Sequence, residues 1–414
     1  MASSEASRQA GTGTTVRPVR FLALDSWRGI CALLVAVMHF PAAGPISDSP
    51  FIRNAYLFVD YFFVLSGFVI AHGYSQRIAT GTDYFRFALL RLGRIYPLHV
   101  AVLALFLGFE LLRWAVPALR GDAAAPFSEG MTIAELFSSL ALLNGVGFDT
   151  RLVWNSPSWS ISAEMWTYLF FGFAVLVLGR RHWLAFIPAI FVGMISIWSL
   201  SPLYMDTTWQ LGLIRCVYGF SLGALLYRFA GGYLVAFHQG RPDRPAALAT
   251  VLEVAALALV VLFVTFAGKG PASVFAPWVF AIAICIFGRE AGHVSRALKA
   301  TPFLWLGTLS YAIYMVHIFV QSRLINGGSL AGKFTGLPIV GDCTMGGEAA
   351  YGFGPLGGAF GTVMMLVMAL AVIVAAAVAH FLVEKPFIAL SKAAAQRVGS
   401  REMQNGRKPK PASV

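Results

Sequence analysis

The sequence is poor in charge: Asp, Glu, Lys and Arg together make up 12% of its 414 residues, against about 25% in an average soluble domain. That scarcity excludes an ordinary water-soluble enzyme. It equally excludes a disordered chain, which stays solvated through high charge and low hydrophobicity. Acidic residues are scarcer still, nineteen against thirty-one Lys and Arg, and the resulting +12 is spread over short stretches between apolar runs. Such a distribution reads as membrane topology rather than as a nucleic-acid surface. Only four cysteines occur, Cys31, Cys216, Cys285 and Cys343, the first three inside apolar runs, so no disulfide framework or zinc cluster is readable. The apolar run that follows the polar segment Met1 to Arg20 has no small-residue cleavage site and is read as a retained helix rather than a signal peptide.

What is plentiful is apolar length: 58% of the residues are AVILMFWYC. A bilayer core of about 30 Å takes about 20 mostly apolar helical residues. Ten runs approach that length: Leu22 to Ala43, Ala55 to Tyr74, Ile95 to Val116, Ser158 to Leu178, Trp183 to Leu200, Gln210 to Phe229, Leu248 to Ala267, Ala272 to Phe287, Pro302 to Leu324 and Leu356 to Leu382. The expected fold is therefore an all-α, polytopic membrane bundle of about ten transmembrane helices. Basic residues cluster in alternate connections: the N-terminal tail, Arg77 to Arg94, Arg180 and Arg181, Arg228 to Arg244, Arg289 to Lys299, and the tail from Lys385. These are the cytoplasmic sides, with both termini inside. The run Ile133 to Leu143 is too short to span, and counting it would move Arg180 and Arg181 outside. The segments Arg120 to Trp154 and Asn326 to Pro355 become the large outer loops, the second rich in glycine. Residues 1–20 are expected to be a disordered cytoplasmic tail and 21–387 the membrane domain. Residues 388–414 form a basic tail with no periodic apolar pattern, also expected to be disordered.

Ionisable groups inside a membrane are costly and usually face a cavity. In the first span Arg28 and His39 are eleven residues apart, which at 100° per residue returns them to within about 20° of one face and separates them by roughly 16 Å, bringing His39 to about mid-membrane. Asp25 shares their stripe; a snorkelling arginine and a core histidine would explain the same pattern. Asp60 lies about a turn and a half inside the outer end of the second span, where it orients an acceptor or holds a loop. Arg91 and Arg94 are neighbours on a helix at the cytoplasmic surface, and two guanidiniums so placed suit a phosphate or anchor the helix to the inner leaflet. Ser160 and Glu164 share a face after Pro157. Glu164 is able to bind a sugar hydroxyl, pair with a cation such as Arg151, or cap a helix. Ser310, Tyr314 and His317 fall within about 60° of one another in the ninth span.

The succession LDSWRG with ten residues between Arg28 and His39, then FVDYFFVLSGFVI, RLGRIYPLH, PSWSISAEMW, LSYAIYMVH and EKPF resembles the acyltransferase 3 family of bacterial membrane-bound acyltransferases, from about Phe21 to Phe387. The resemblance implies ten membrane helices in the bacterial inner membrane and transfer of an acyl group from acyl-coenzyme A to a carbohydrate or other acceptor. By position, the family's essential histidine is His39, its paired arginine Arg28, and its cytoplasmic RxxR Arg91 and Arg94. Many relatives carry a C-terminal hydrolase-like domain of the SGNH type, and this chain is expected to be the stand-alone form.

On that footing Arg91, Arg94 and Arg28 are the expected contacts for the donor, acetyl-coenzyme A in the first instance, with no metal. His39 is the expected general base, since an imidazole of pKa near 6.5 readily takes a hydroxyl proton at neutral pH. Asp25, Asp60, Ser160, Glu164, Ser310, Tyr314 and His317 are candidates for acceptor binding or proton relay. The expected partners are a carbohydrate or glycolipid acceptor, the bilayer and glycan-synthesis enzymes, with no nucleic acid. The alternative is a proton-coupled secondary transporter, because buried His, Asp and Glu also build proton relays.

Overall fold

A computed structural model describes residues 19–117, 125–240 and 246–404. The expected N-terminal tail, up to residue 18, and the end of the basic tail, from 405, lie outside these residues. The principal elements are α1 (Leu22–His39), α2 (Phe58–Tyr74), α3 (Gly81–Ala115), α4 (Ile133–Leu140), α5 (Ser158–Leu178), α6 (Trp183–Leu200), α7 (Gly212–Gly240), α8 (Ala247–Ala267), α9 (Ala276–Phe287) and α10 (Thr301–Thr335). A hairpin of β1 (Gly341–Met345) and β2 (Glu348–Gly352) follows, then α11 (Gly358–Ala379) and α12 (Lys385–Gln404). The protein is an all-α polytopic bundle. Among the described residues nine helical segments are long and apolar enough to cross a membrane; the tenth expected span, a 3-10 turn running into α9, is shorter, covering Pro271–Phe287. Helix α4 has eight residues and is too short to span, as expected. Large apolar side chains stand outward on the spans, Phe266 at 80% exposure and Phe191 at 53%, which suits lipid and not water.

Long helices overshoot the bilayer. Both α3 and α10 have 35 residues, about 52 Å of helix against a hydrocarbon core of about 30 Å. Helix α3 starts early because Thr80 and Asp83 form a capping box, the Asp83 N–H donating to Thr80 Oγ1 at 3.1 Å and the Thr80 N–H to Asp83 Oδ2 at 3.0 Å, satisfying donors that a helix start leaves free.

Missing side chains bring the inner helices together. A Cβ on Gly29 of α1 would lie 2.3 Å from the Leu306 carbonyl carbon of α10, and one on Gly307 would lie 2.4 Å from the Asp25 carbonyl oxygen. Helices α1 and α10 run parallel, Asp25 beside Gly307 and Ala36 beside Gln321, whose Nε2 donates to the Ala36 carbonyl at 2.6 Å. Helices α2 and α7 pack the same way through Gly67 and Gly223. Close backbone approach through small residues is the usual solution where lipid offers no hydrophobic drive for association.

Two stretches differ from expectation. The glycine-rich segment read as an outer loop from Asn326 is helical to Thr335 and then forms an antiparallel hairpin, Met345 opposite Glu348. Its two-residue turn, Gly346 and Gly347, has φ of 55° and 87°, a conformation in which glycine carries no steric cost. Beyond β2, the Phe353 N–H donates to the Pro41 carbonyl at 2.9 Å and the Ala43 N–H to the Phe353 carbonyl at 3.0 Å, so the hairpin straps the chain just after His39. The second difference is at the C-terminus. The segment expected to be disordered is helix α12, reached from α11 through one π turn, His380–Glu384. It is stabilised by docking on α3, where Arg86 Nε donates to the Ala395 carbonyl at 3.1 Å.

Candidate active site

The seam between α1 and α10 fixes Arg28. Its Nε donates to Ser310 Oγ at 2.8 Å, its Nη2 to the Gly307 carbonyl at 3.0 Å, and Asp25 Oδ1 lies 3.6 Å away. Asp25 also accepts from Arg20 at 2.8 Å. Bound at several atoms, the guanidinium has a set direction before any ligand arrives, which lowers the ordering cost of binding.

Arg28 and Ser310 line a cavity of about 470 Å³ walled by α2, α3, α5, α10 and α12. Val59 and Tyr74 of α2 both line it, so it runs about 22 Å along that helix at 1.5 Å per residue. At the Tyr74 end stand Arg91, Arg94 and Lys392. The Arg91 Nη2 donates to the Tyr74 hydroxyl at 3.1 Å, and its guanidinium lies 5.2 Å from the Tyr74 ring centre and 6.0 Å from that of Tyr168. Arg94 has no hydrogen bond or ion pair among the described residues. Midway, Glu164 accepts from the Tyr168 hydroxyl at 2.6 Å, and Ser66 lies 2.9 Å from that hydroxyl. At the far end Ser160 Oγ is 2.9 Å from the Tyr314 hydroxyl, and both oxygens lie within 3.2 Å of the Pro157 carbonyl. The cavity is thus cationic at one end and hydroxyl-lined at the other, with Glu164, Tyr168 and Ser66 set among apolar side chains between.

His39 and His317 lie beyond the Tyr314 end. The His39 ring centre is 5.1 Å from that of His317, which is 5.8 Å from the Tyr314 ring. His39 is accessible whereas His317 is buried. His39 Nδ1 is 2.9 Å from the Val35 carbonyl and His317 Nδ1 is 2.6 Å from the Tyr314 carbonyl. A carbonyl only accepts, so Nδ1 holds the hydrogen in each ring and Nε2 carries the lone pair of the neutral imidazole. For His39 this leaves a base; for His317 it leaves a buried Nε2 with no hydrogen-bond partner among the described residues.

The structure therefore brings Arg28, Arg91, Arg94, Ser160, Glu164, Ser310 and Tyr314 to one cavity and sets His317 and His39 next to its inner end. It leaves Asp25 behind Arg28 as a counter-charge, and it takes Asp60 away altogether. Asp60 is fully buried in a two-pronged ion pair with Arg215, Oδ1 to Nε at 2.9 Å and Oδ2 to Nη2 at 2.7 Å, while Arg215 also donates to the carbonyls of Thr207 and Tyr56 at 2.9 and 3.1 Å. With both oxygens engaged, Asp60 fastens α2 to α7 and lines no part of the cavity. Glu164, likewise, stands in the same cavity as the arginines rather than apart from them. Sequence reasoning missed Arg215, although an arginine in the apolar run Gln210 to Phe229 calls for a buried partner. It also missed Lys392 and Tyr168. Among the described residues, no group of three or more His, Cys, Asp or Glu is placed to hold a metal ion.

Comparison with known proteins adds an independent finding. Residues 21–382 match a family model described as an acyltransferase domain. The chain is 33% identical to protein 2 in the picA locus of Rhizobium radiobacter over 154 residues, 36% of this chain and 78% of that one. It is 25% identical to acyltransferase MdmB of Streptomyces mycarofaciens over 404 residues, 90% and 93% of the two chains. With peptidoglycan O-acetyltransferase OatA of Listeria monocytogenes it shares 23% identity over 317 residues, 71% of this chain but only 48% of that relative. No solved structure matches.

Proposed function

The chain belongs to the acyltransferase family so matched, and from that premise we propose that it moves an acetyl group from acetyl-coenzyme A to a hydroxyl of a cell-surface or secreted carbohydrate at the bacterial inner membrane. It is a multi-pass membrane acyltransferase; the donor, the acceptor and the residue roles are our reading. The observation that carries it is the single cavity with Arg91 and Arg94 at one end and, at the other, Tyr314 leading through His317 to His39. A thin thioester arm ending in a phosphate-bearing head matches that distribution of charge along a cavity of about 22 Å. The family match leaves the transporter alternative without support.

In this reading Arg91 and Arg94 hold phosphate, and their charge concentrates the anionic donor at the opening. Arg28, fixed by Ser310 and Gly307, contacts the arm. Glu164, Ser160 and Ser310 offer hydrogen-bond partners to its amides. His39 takes the proton of the acceptor hydroxyl on Nε2 while Nδ1–H stays bonded to Val35. The acceptor oxygen forms the C–O bond at the thioester carbonyl, the C–S bond breaks, and the imidazolium returns the proton to the departing thiolate. Tyr314 lines the far end of the cavity, and His317 packs between its ring and that of His39. Mass spectrometry of envelope glycans from a deletion strain, with and without the complementing wild-type chain, tests the assignment: acetyl groups should return only with the chain. Unchanged acetylation in the deletion strain would remove the carbohydrate acceptor.

A further inference from the structure

The C-terminal helix supplies part of the cavity. Ile388, Ser391 and Lys392 of α12 line it beside Arg91 and Arg94 of α3. The helix reaches that position because Gly93, between the two arginines, has no side chain: a Cβ there would lie 2.2 Å from Ser391 Cβ and 2.7 Å from Ser391 Oγ. Gly93 thus opens a slot on α3, about 100° round the helix from Arg94, for the helix that bears Lys392, and the cavity at that junction is lined by residues of both helices. Lys392 is exposed and has no hydrogen bond or ion pair among the described residues, whereas both arginines are partly buried.

We propose that Lys392 binds the 3′-phosphate of the coenzyme A donor, with α12 as a fixed wall of the nucleotide site; this rests on the donor reading given above. Coenzyme A carries its phosphates in two places. The diphosphate is joined to the thioester arm and follows it inward, where the half-buried guanidiniums three residues apart suit it. The 3′-phosphate hangs from the ribose and lies further out, where the exposed ammonium stands. An ammonium on a flexible stem serves such an outer group as a point charge without needing the two-pronged geometry of arginine.

The test uses the full chain in lipid nanodiscs, with affinities for coenzyme A and 3′-dephospho-coenzyme A measured by calorimetry for the wild type, Lys392→Gln and Lys392→Arg. The wild type should prefer coenzyme A by about fivefold, the range of an exposed charge pair. Lys392→Gln should lose that preference through weaker coenzyme A binding alone, with dephospho-coenzyme A unchanged, and Lys392→Arg should keep it. Equal affinities of wild type and Lys392→Gln for coenzyme A, or equal losses for both ligands, would overturn the assignment while leaving the donor reading intact. A wild type that binds neither ligand would remove the donor reading, and this inference with it.

Discussion

Asp60 and Arg215 illustrate how a buried ionisable residue serves structure when its partner engages it fully. Both side chains are essentially excluded from solvent, so removing one charge strands the other. Asp60→Asn is expected to cost about 3–5 kcal/mol of stability, read as a lower melting temperature in detergent; a wild-type melting curve would contradict the structural role. Glu164→Gln, in contrast, keeps the shape of a residue on the cavity wall and should impair transfer with little change in melting. His182, in the turn between α5 and α6, gives a pH-dependent prediction. Burial pushes its pKa below the ordinary 6.5, outweighing the hydrogen bond to the Gly179 carbonyl. The unfolded chain then binds the proton more readily than the folded one, so this contribution to stability is present above about pH 6.5 and is lost as the pH falls through the folded value. Melting between pH 7 and pH 5 should show the decline, and His182→Asn should flatten it.

At the scale of elements, the parallel seam of α1 and α10 holds the arginine. Gly29→Ala forces the backbones apart, and overpacking of this kind costs about 1–3 kcal/mol. Because Arg28 is bonded to Gly307 and Ser310 across that seam, the variant should also lose transfer activity beyond what its melting shift explains; full activity would detach Arg28 from the mechanism. The hairpin plays the corresponding part for the histidine, since β2 runs on into the backbone bonds with Pro41 and Ala43. Its turn was readable as Gly-Gly between two short runs able to form strands, yet the local glycine content favoured a loop. Helix α12 was less legible. Its sequence is polar and its stability comes from α3, and packing of this kind outweighs intrinsic propensity. Lys392 went unseen for that reason, whereas Arg215 sat inside a run weighed for hydropathy alone.

For the whole molecule, hydropathy and the alternation of arginines marked the spans because the bilayer imposes one length on all of them, and the Arg28 to His39 spacing survives folding because both lie on one uninterrupted helix. What spacing did not convey was which polar residues meet across helices, as with Glu164 and Tyr168 or His39 and His317. The orientation predicted by the basic loops puts the hairpin outside. Cys343 on β1 should then react with a membrane-impermeant thiol reagent added to spheroplasts, while buried Cys31 and Cys216 should not. Burial, with the Asp342 charge adding to it, raises the Cys343 pKa above its ordinary 9.0, so labelling should accelerate as the pH is raised from 7 to 9. Labelling only from the cytoplasmic side would invert the topology.

The central claim is that a donor held in the cavity reacts at His39. Its most direct test is the pairing of two readings on His39→Ala: acetyl-coenzyme A affinity in nanodiscs and acetylation of envelope glycans in the complemented deletion strain. The account predicts donor affinity within about twofold of wild type, since His39 lies outside the cavity wall and removing a group that acts only in the transition state leaves ground-state binding intact, together with loss of glycan acetylation. Acetylation restored by His39→Ala at wild-type protein levels would contradict it.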